Sequence, residues 1–324
     1  MTNPRVLCLG EVLFDRLANQ VGRSLEQVES WTAYPGGAPA NVACALVKLG
    51  TPAGFIGSVG VDEPGNQLVQ LLKDVGVDHS GVQRHPTAPT RQVYVLRSEK
   101  GDREFAGFGD FDTSQFADAF LDASKLPESL FEGADYLVLG TLELAYPQTR
   151  QAIYKALNLA NRYDVKVLVD INWRPMFWSD PSEAKPLIKE FVKQIDFLKI
   201  AKEEGELFFD TSDAGAITHR LDSVEGVLVT NGDQDITYCL GEQEDTFSPF
   251  TMNVQDTTGA GDGFVAGFIH QLCQNGLKCL ATPESARDVV KYASAVGGLT
   301  TLKPGAIAAQ PTLAEVEAFL KENG

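Results

Sequence analysis

The chain has 324 residues, of which 44% are hydrophobic, and it carries a formal net charge of −17 at pH 7. That size supports a well-buried core, while the acidic balance and the lack of Lys/Arg-rich runs exclude nucleic acid and anionic membranes as expected partners. Five irregularly spaced cysteines, and an N-terminus without a signal peptide pattern, indicate a cytoplasmic protein with reduced thiols.

Short and almost continuously apolar runs recur along the chain and predict buried strands. They lie at 6–10, 136–140, 165–170, 196–200 and 226–230. Helical patterns with one apolar face separate or follow them, at 39–50, 65–76, 148–164, 183–194, 261–276, 285–301 and 313–323. This alternation predicts an α/β fold in which helices cover both faces of a mostly parallel sheet. Such sheets bind ligands at the carboxyl ends of their strands.

Residues 90–108 break this rhythm. Their sequence, “TRQVYVLRSEKGDREFAGF”, alternates polar and apolar residues around a Lys-Gly-Asp turn, which predicts a β-hairpin. The pattern is compatible with a lid over a site, with a dimer edge and with a peripheral extension of the main sheet. No repeat or linker divides the chain, so we expect one domain spanning residues 1–324.

Residues 256–262 read “DTTGAGD” and stand at the start of a predicted helix. A helix N-terminus binds anions through its unpaired N–H groups, and glycines let the backbone approach a ligand. The amides of Gly259, Ala260 and Gly261 are therefore candidates for an anion hole. No Lys follows these glycines, so the segment is not an ordinary phosphate-binding loop, and the spacing of a dinucleotide fingerprint is missing too.

Asp262 stands where a phosphate-binding loop would carry its Lys. A carboxylate beside an anion site repels phosphate, but it has a use there as the base that takes a proton from an attacking hydroxyl. The amides would then stabilise charge that develops on the transferred group. The pattern favours phosphoryl transfer to an alcohol, although the helix dipole alone also favours an acid in a first turn.

A second glycine-rich turn opens a second predicted helix, in “PGGAPANVACALVKLG” at 35–50. Together with “DTTGAGDGFVAGF” at 256–268, this segment resembles the paired signatures of the ribokinase-like (PfkB) carbohydrate kinase family. The resemblance covers essentially the whole chain. “GE” at 10–11 and “DINWRP” at 170–175 are most similar to the fructokinase branch of that family.

The resemblance implies a ribokinase-like three-layer α/β sandwich with a central, mostly parallel sheet. A small β lid would be inserted at roughly 11–35 and 88–112, and a homodimer would form through it. Asp262 would be the catalytic base, with the Gly259, Ala260 and Gly261 amides as the anion hole. The residues that the family would place around the sugar are Asp15, Gly36, Gly37, Asn41, Arg103, Phe105, Glu143, Asn172 and Arg174.

The resemblance also implies ATP, Mg²⁺ and possible K⁺ sites. The implied nucleotide contacts are Thr230, Gly232, Gly259, Gly261, Ala293 and Val296. Glu204, in “AKEE”, would lie near Mg²⁺ through a water molecule, although Ala201 replaces the Asn of the family motif. Asp256 and Thr258 resemble the potassium site of related kinases. The segment “GDQD” lacks the second glycine that usually follows the nucleotide turn.

The implied activity is ATP-dependent phosphorylation of a hexose, specifically of D-fructose to fructose 6-phosphate. A 2-keto-3-deoxygluconate kinase is the nearest alternative, and its carboxylate substrate calls for an additional cation in the sugar pocket. Ribokinase and nucleoside kinase fit “GGAPANVA” and “NWRP” less well. A catalytically silent sugar-binding regulator is the alternative from another class, and only the altered “GDQD” and “AKEE” stretches support it.

Overall fold

The computed structural model describes residues 3–98 and 103–323. The strands within these ranges are β1 (Val6–Leu9), β2 (Leu13–Ala18), β3 (Trp31–Gly36), β4 (Ala53–Gly60), β5 (Asp78–His85), β6 (Gln92–Arg97), β7 (Arg103–Gly107), β8 (Tyr136–Leu139), β9 (Lys166–Asp170), β10 (Phe197–Ala201), β11 (Gly226–Asn231), β12 (Gln234–Leu240) and β13 (Gln243–Phe247). The helices are α1 (Ala38–Lys48), α2 (Glu63–Val75), α3 (Glu128–Phe131), α4 (Pro147–Arg162), α5 (Ala184–Phe191), α6 (Lys202–Phe209), α7 (Ala214–Leu221), α8 (Ala260–Asn275), α9 (Pro283–Thr300) and α10 (Leu313–Asn323).

A nine-stranded sheet runs through the centre of the described part of the chain, in the order β13-β12-β11-β10-β9-β8-β1-β4-β5. The pairs from β11 to β5 are parallel, and only the two pairs that β12 makes, with β11 and β13, are antiparallel. All five predicted strands are present within one or two residues of their expected ends. The mostly parallel sheet expected from the alternation is therefore confirmed.

Two hydrophobic cores lie on opposite faces of this sheet. Along β1, Val6 and Cys8 pack into one core, while Leu7 and Leu9 pack into the other. Buried residues of α1, α2, α8 and α9 complete the first core, and those of α4, α5 and α7 complete the second. Because a parallel strand covered on both faces must be apolar on both sides, continuous apolar runs were a valid signal. The three-layer arrangement is confirmed.

Four strands of the main sheet and three helices were not predicted from the sequence patterns. All eight residues of β4 are buried, but its sequence, “AGFIGSVG”, is interrupted by small residues that hide the apolar run. Strand β5 is polar and lies at the edge of the sheet, and β12 and β13 form the opposite, antiparallel edge. The edge strands β5 and β13 are mostly exposed or half-buried, so they need no continuous apolar sequence. The short helices α3, α6 and α7 were also missed.

A separate four-stranded sheet has the order β3-β2-β6-β7. The outer pairs are antiparallel, and the central β2–β6 pair is parallel. Strands β6 and β7 are the predicted hairpin, although its Lys-Gly-Asp turn lies outside the described residues. The hairpin therefore belongs to a second, smaller sheet and does not extend the main one.

Two expectations from composition can be compared with the fold. All five cysteines are buried free thiols. Among the described residues, no helix combines the length and the apolar character that crossing a membrane requires.

Candidate active site

Two cavities lie next to each other at the carboxyl ends of the main-sheet strands. The first has a volume of about 700 Å³ and includes Asp170, the last residue of β9. The second has a volume of about 680 Å³ and includes Thr230, near the end of β11. Both are lined by Thr257 and Gly261, so the “DTTGAGD” segment forms the wall between them. We call this segment, residues 256–262, the glycine wall. This is the edge where parallel sheets bind ligands.

The first cavity brings together most of the residues predicted to surround a sugar. Its walls include Asp15, Gly37, Asn41, Phe105, Asn172, Arg174 and Asp262. Gly36 lies behind Asp15, since a Cβ on Gly36 would be 3.1 Å from Asp15 Oδ2. Arg103 begins β7, but its side chain falls outside what the structure describes.

Asp262 lies in the first turn of α8, as predicted, and its carboxylate faces the first cavity. Asn41 Nδ2 donates a 2.8 Å hydrogen bond to Asp262 Oδ2. Desolvation by the surrounding protein raises the pKa of Asp262 to about 6, and the bond from Asn41 acts in the opposite direction. A carboxylate with this pKa is ionised near neutral pH and is more basic than an exposed aspartate, as a general base should be.

The turn before α8 requires glycine. Gly259 is the N-cap residue with φ 81°, and a Cβ on it would be 2.9 Å from the Ala306 Cα. The Ala260 N–H donates to the Thr257 carbonyl oxygen at 3.2 Å, so this amide is already engaged within the turn. Gly259 and Gly261 belong to the first turn of the helix, where amides have no intrahelical acceptor. These two amides are therefore the better donors for an anion.

Lys199 is a site residue that the sequence reasoning missed. It projects from the otherwise apolar strand β10, is 7% exposed, and holds its Nζ 3.1 Å from both carboxylate oxygens of Asp170. A Cβ on Gly261 would be 3.2 Å from this Nζ, so the ammonium group adjoins the glycine wall. Burial disfavours the charge, but the nearby carboxylates of Asp170, Glu204 and Asp262 together outweigh it and raise the pKa of Lys199. The sequence did contain a signal for this residue, namely a lysine within the predicted buried strand “DFLKI”. Because lysines are rarely buried without a partner, this lysine implied a nearby acid.

Glu11 is a second missed residue of the first cavity. Its Oε1 accepts a 2.7 Å hydrogen bond from the Ala38 N–H, at the N-terminus of α1. Burial raises the pKa of Glu11 to about 7. Gly37 permits this contact, since its φ is 103° and a Cβ would be 2.4 Å from the Glu11 carbonyl oxygen. The motif “GE” was noticed in the sequence, but no role was assigned to its glutamate.

The second cavity contains the predicted nucleotide residues Thr230 and Gly232. Ala293 and Val296 do not reach it, because they face α8, where a Cβ on Gly267 would be 2.9 Å from atoms of both. The residues of α9 that line the cavity are Ser294, Gly297 and Gly298. The prediction therefore named the correct helix, α9, but the wrong face of it. Small residues occur on both faces of α9, so the sequence did not distinguish them.

Comparison with known proteins identifies the family. Residues 3–313 of the chain match the pfkB family of carbohydrate kinases. The chain belongs to this family. A probable chloroplastic fructokinase-6 of Arabidopsis thaliana is 34% identical over 326 residues, with 98% of this chain and 83% of that protein covered. Fructokinase-2 of Zea mays is 32% identical over 322 residues, with 98% and 94% covered.

Solved structures agree with this assignment. The fructokinase of Xylella fastidiosa with bound ATP has a TM-score of 0.89 and 27% identity, with 98% of each chain covered. The fructokinase of Vibrio cholerae O395, bound to fructose, ADP and a calcium ion, has a TM-score of 0.83 and 28% identity, with 99% of this chain and 100% of that one covered. The ribokinase-like fold is thus confirmed, and the protein is a sugar kinase.

One residue that the pfkB resemblance assigned to the sugar lies behind the cavity. Glu143 is 2% exposed, and its neighbour Leu142 takes the place on the wall. Neither carboxylate oxygen of Glu143 has a hydrogen-bond partner among the described residues. Burial, followed by repulsion from Asp118 and Glu11, raises the pKa of Glu143. The structure therefore does not bring Glu143 into contact with the sugar cavity, and the prediction of a direct contact is corrected.

The pfkB-type metal positions contain hard oxygen donors. Glu204 faces the first cavity, and its two oxygens accept hydrogen bonds from the Trp173 N–H at 2.5 Å and the Ala201 N–H at 2.8 Å. Asp256 Oδ1 accepts from Thr258 Oγ1 at 2.7 Å, and Oδ2 accepts from the Gly305 N–H at 3.0 Å. The described residues contain no cluster of three or more His, Cys, Asp or Glu suited to a metal.

The glycine wall generates a prediction for this sugar kinase. Gly259→Ala should lower turnover by roughly 10²–10³-fold, the usual cost of losing an anion-hole donor, because the new methyl displaces the wall from Ala306. Gly50→Ala is the control, since Gly50 has φ 85° and no atom within 4 Å of an added Cβ. It imposes similar backbone strain far from the wall and should leave turnover unchanged. Equal turnover of the two purified variants would contradict the assignment of Gly259.

Proposed function

We propose that this pfkB kinase is an ATP-dependent fructokinase that converts D-fructose to fructose 6-phosphate. The observation that carries the proposal is the position of Asp262 and the glycine wall between two cavities. This arrangement suits a reaction in which an acceptor alcohol and a phosphoryl donor approach from opposite sides. The similarity to fructokinases along 98% of the chain supports fructose as the acceptor.

The two cavities differ in a way that distinguishes acceptor from donor. The apolar side chains of the second cavity are Ile236, Phe250, Met252, Val254 and Phe264. A flat adenine base can pack against such side chains, while Thr230 and Gly232 lie within reach of polar parts of the nucleotide. We therefore place ATP in the second cavity and the sugar in the first.

The charges of the first cavity favour a neutral sugar. Its carboxylates are Glu11, Asp15, Asp170, Glu204 and Asp262. Among the described side chains, the cations on its walls are Lys199, which is paired with Asp170, and Arg174, which is exposed. Carboxylates accept hydrogen bonds from sugar hydroxyls but repel a sugar acid. This balance supports fructose over 2-keto-3-deoxygluconate.

The chain's own groups account for the chemistry of transfer. Asp262 takes the proton of the terminal sugar hydroxyl as its oxygen bonds to the γ-phosphorus of ATP, and the bond to the ADP oxygen breaks. The Gly259 and Gly261 amides stabilise the charge on the transferred group. Lys199 adjoins Gly261 and has three N–H donors, of which Asp170 engages two, so one remains for a phosphoryl oxygen.

Two metal ions complete the proposal. Mg²⁺ would accompany ATP, with Glu204 available through water, and K⁺ would lie near Asp256 and Thr258. Carboxylate and hydroxyl oxygens are suitable hard donors for both ions, and Mg²⁺ retains several waters and binds mainly to phosphates. When bound, the magnesium ion would neutralise phosphate charge, which matters because the neighbouring first cavity is lined by five carboxylates.

We also propose that residues 1–324 form one catalytic domain, with the small sheet acting as a lid at roughly 11–35 and 88–112. Phe105 of β7 lines the sugar cavity and supports this role. A homodimer through this lid would cover the edge strands β3 and β7 of the small sheet. Light scattering that gives the mass of a monomer at assay concentration would contradict the homodimer.

The buried free thiols support a cytoplasmic location.

The proposed function predicts the outcome of an acceptor survey. With Mg-ATP and K⁺, ADP release should be fastest with fructose among fructose, 2-keto-3-deoxygluconate, ribose, glucose, mannose and adenosine. Preference for another acceptor would retain the kinase and contradict the fructose assignment. Sugar-dependent thermal stabilisation without ADP release would instead support the silent sugar-binding alternative.

Asp262→Ala should reduce turnover by roughly 10²–10⁴-fold, which is the usual contribution of a general base. Because the base must be ionised, wild-type kcat should fall as the pH drops through about 6. Measurement of kcat between pH 5 and 8 with saturating substrates checks the direction. Turnover that increases as the pH falls through this range would exclude Asp262 as the base.

Lys199→Met should lower kcat by roughly 10²–10³-fold, because a preorganised cation at the developing charge is lost. Lys202→Met is the control, since Lys202 is exposed on the neighbouring helix α6. Thermal unfolding would show whether each variant is folded, because the first change also leaves Asp170 without its partner. A folded Lys199→Met variant with wild-type kcat would contradict the proposed role.

A further inference from the structure

Arg91 is a buried cation that the proposed mechanism does not use. It is 1% exposed and directly precedes β6, the strand at the middle of the small sheet. Its backbone belongs to that sheet, since its carbonyl oxygen accepts the Phe14 N–H of β2 at 3.2 Å. Its side chain, in contrast, contacts residues next to the main sheet, including Tyr146 before α4 and Phe177 after β9. Arg91 therefore connects the two sheets.

The guanidinium group of Arg91 is fixed by four hydrogen bonds. Nε donates to Asp118 Oδ2 at 2.5 Å, and Nη2 donates to Asp118 Oδ1 at 2.7 Å. Nη2 also donates to the Thr113 carbonyl oxygen at 2.9 Å, and Nη1 donates to Thr113 Oγ1 at 3.1 Å. A bidentate bond to a carboxylate fixes the plane of a guanidinium group as well as its position. Arg91 thus has one defined orientation.

Four aromatic rings surround this group, and we call them the aromatic cage. The guanidinium carbon of Arg91 lies between 4.7 and 5.4 Å from each ring centroid, within the range of a cation–π interaction. The rings are those of Phe108, Phe116, Tyr146 and Phe177. They come from four separate segments of the chain, so the orientation of Arg91 determines how these segments pack together.

The aromatic cage is continuous with the wall of the sugar cavity. Phe177 belongs to the cage and also lines the first cavity. Phe105 of β7 lines the same cavity, and its ring lies 5.0 Å from the ring of Phe108. Phe108 in turn lies 5.2 Å from Phe177. Part of the cavity wall is therefore aromatic and built from both sheets, with Arg91 directly behind it.

We propose that Arg91 is a positioning residue for the reaction. Its pair with Asp118 fixes the small sheet against the main one and so sets the places of Phe105 and Phe177 in the cavity wall. This inference rests on the proposed function, because it takes the first cavity as the sugar site and the small sheet as its lid. A wall in a fixed place orients the acceptor sugar, and it excludes water that would compete for the phosphoryl group.

The chemistry of the pair supports orientation as its role. A buried ion pair adds little stability compared with two apolar side chains of similar volume, since both charges must leave water. Apolar side chains at positions 91 and 118 would pack against the same rings, but they would permit several orientations. A guanidinium group held by a carboxylate permits one. The pair thus contributes more to the geometry of the wall than to the stability of the fold.

The double variant Arg91→Met/Asp118→Leu tests the proposal. Arg91→Met alone would leave a buried carboxylate without its partner, whereas the double variant removes both charges and should melt closer to wild type. We expect its kcat/KM for fructose to fall by roughly 10- to 100-fold, because the wall is misplaced. A larger share of ATP should appear as inorganic phosphate instead of sugar phosphate. ADP affinity, measured without sugar, should not change, since Arg91 lies outside the second cavity.

Two further variants separate orientation from charge and from general damage. Arg91→Lys keeps the charge but lacks the planar fork, so it should show the same losses as the double variant. Arg97→Met is the control, because Arg97 lies in the same strand and donates to the Ala18 and Asn19 carbonyl oxygens within the small sheet. This control should retain the kcat/KM and the product ratio of the wild type.

Hydrogen exchange tests the positioning without the reaction. In the double variant, the amides of β6 and β7 should exchange faster, while those of α8 should exchange as in the wild type. Unchanged exchange in β6 and β7, a wild-type kcat/KM in the folded double variant, or an equal loss of ADP affinity would each overturn the proposal. Wild-type preference for another acceptor would refute only the fructose assignment, and the same comparison would then use that acceptor.

Discussion

The site depends on one short turn of backbone that separates the two cavities and limits how closely two ligands can approach each other. A Cβ on Gly259 would collide with Ala306, and a Cβ on Gly261 would press against the Lys199 ammonium group. Because this turn is the start of α8, it provides backbone donors at the point where the two cavities meet. The main sheet, the helices and the small sheet form the framework that fixes both cavities against this wall.

Charge balance is the second constraint on the site. An acidic protein that binds a nucleotide phosphate must supply local positive charge, and the buried cation that it offers at the wall is Lys199. A buried ammonium group needs a partner, and Asp170 supplies it from the neighbouring strand. Pairing with Asp170 thus allows Lys199 to be buried in β10. It also holds the ammonium group where a phosphoryl group would pass. The charged side chains that line the first cavity, in contrast, are mainly carboxylates.

The sequence predicted the parts of the fold and site that leave a local pattern. Buried parallel strands gave apolar runs, and the helix start at Asp262 gave glycines followed by an acid. Strand β4 was missed because its glycines and serine interrupt the pattern, although contacts across the sheet bury all eight of its residues. Ala293 and Val296 were assigned to the wrong face of α9, because only packing against Gly267 decides which small residues face the nucleotide cavity. The roles of Lys199, Glu11 and Glu143 likewise depend on contacts between distant segments.

The position of the phosphate on the product tests the central claim most directly. The account requires a terminal sugar hydroxyl in the first cavity to attack ATP held in the second, with Asp262 as its base. Carbon-13 and phosphorus-31 NMR of the product from labelled fructose and ATP should show the phosphate on C6 alone. Phosphate on C1 would contradict fructose 6-phosphate as the product, and hydrolysis of ATP to inorganic phosphate without a sugar ester would contradict the arrangement of the two ligands around the glycine wall.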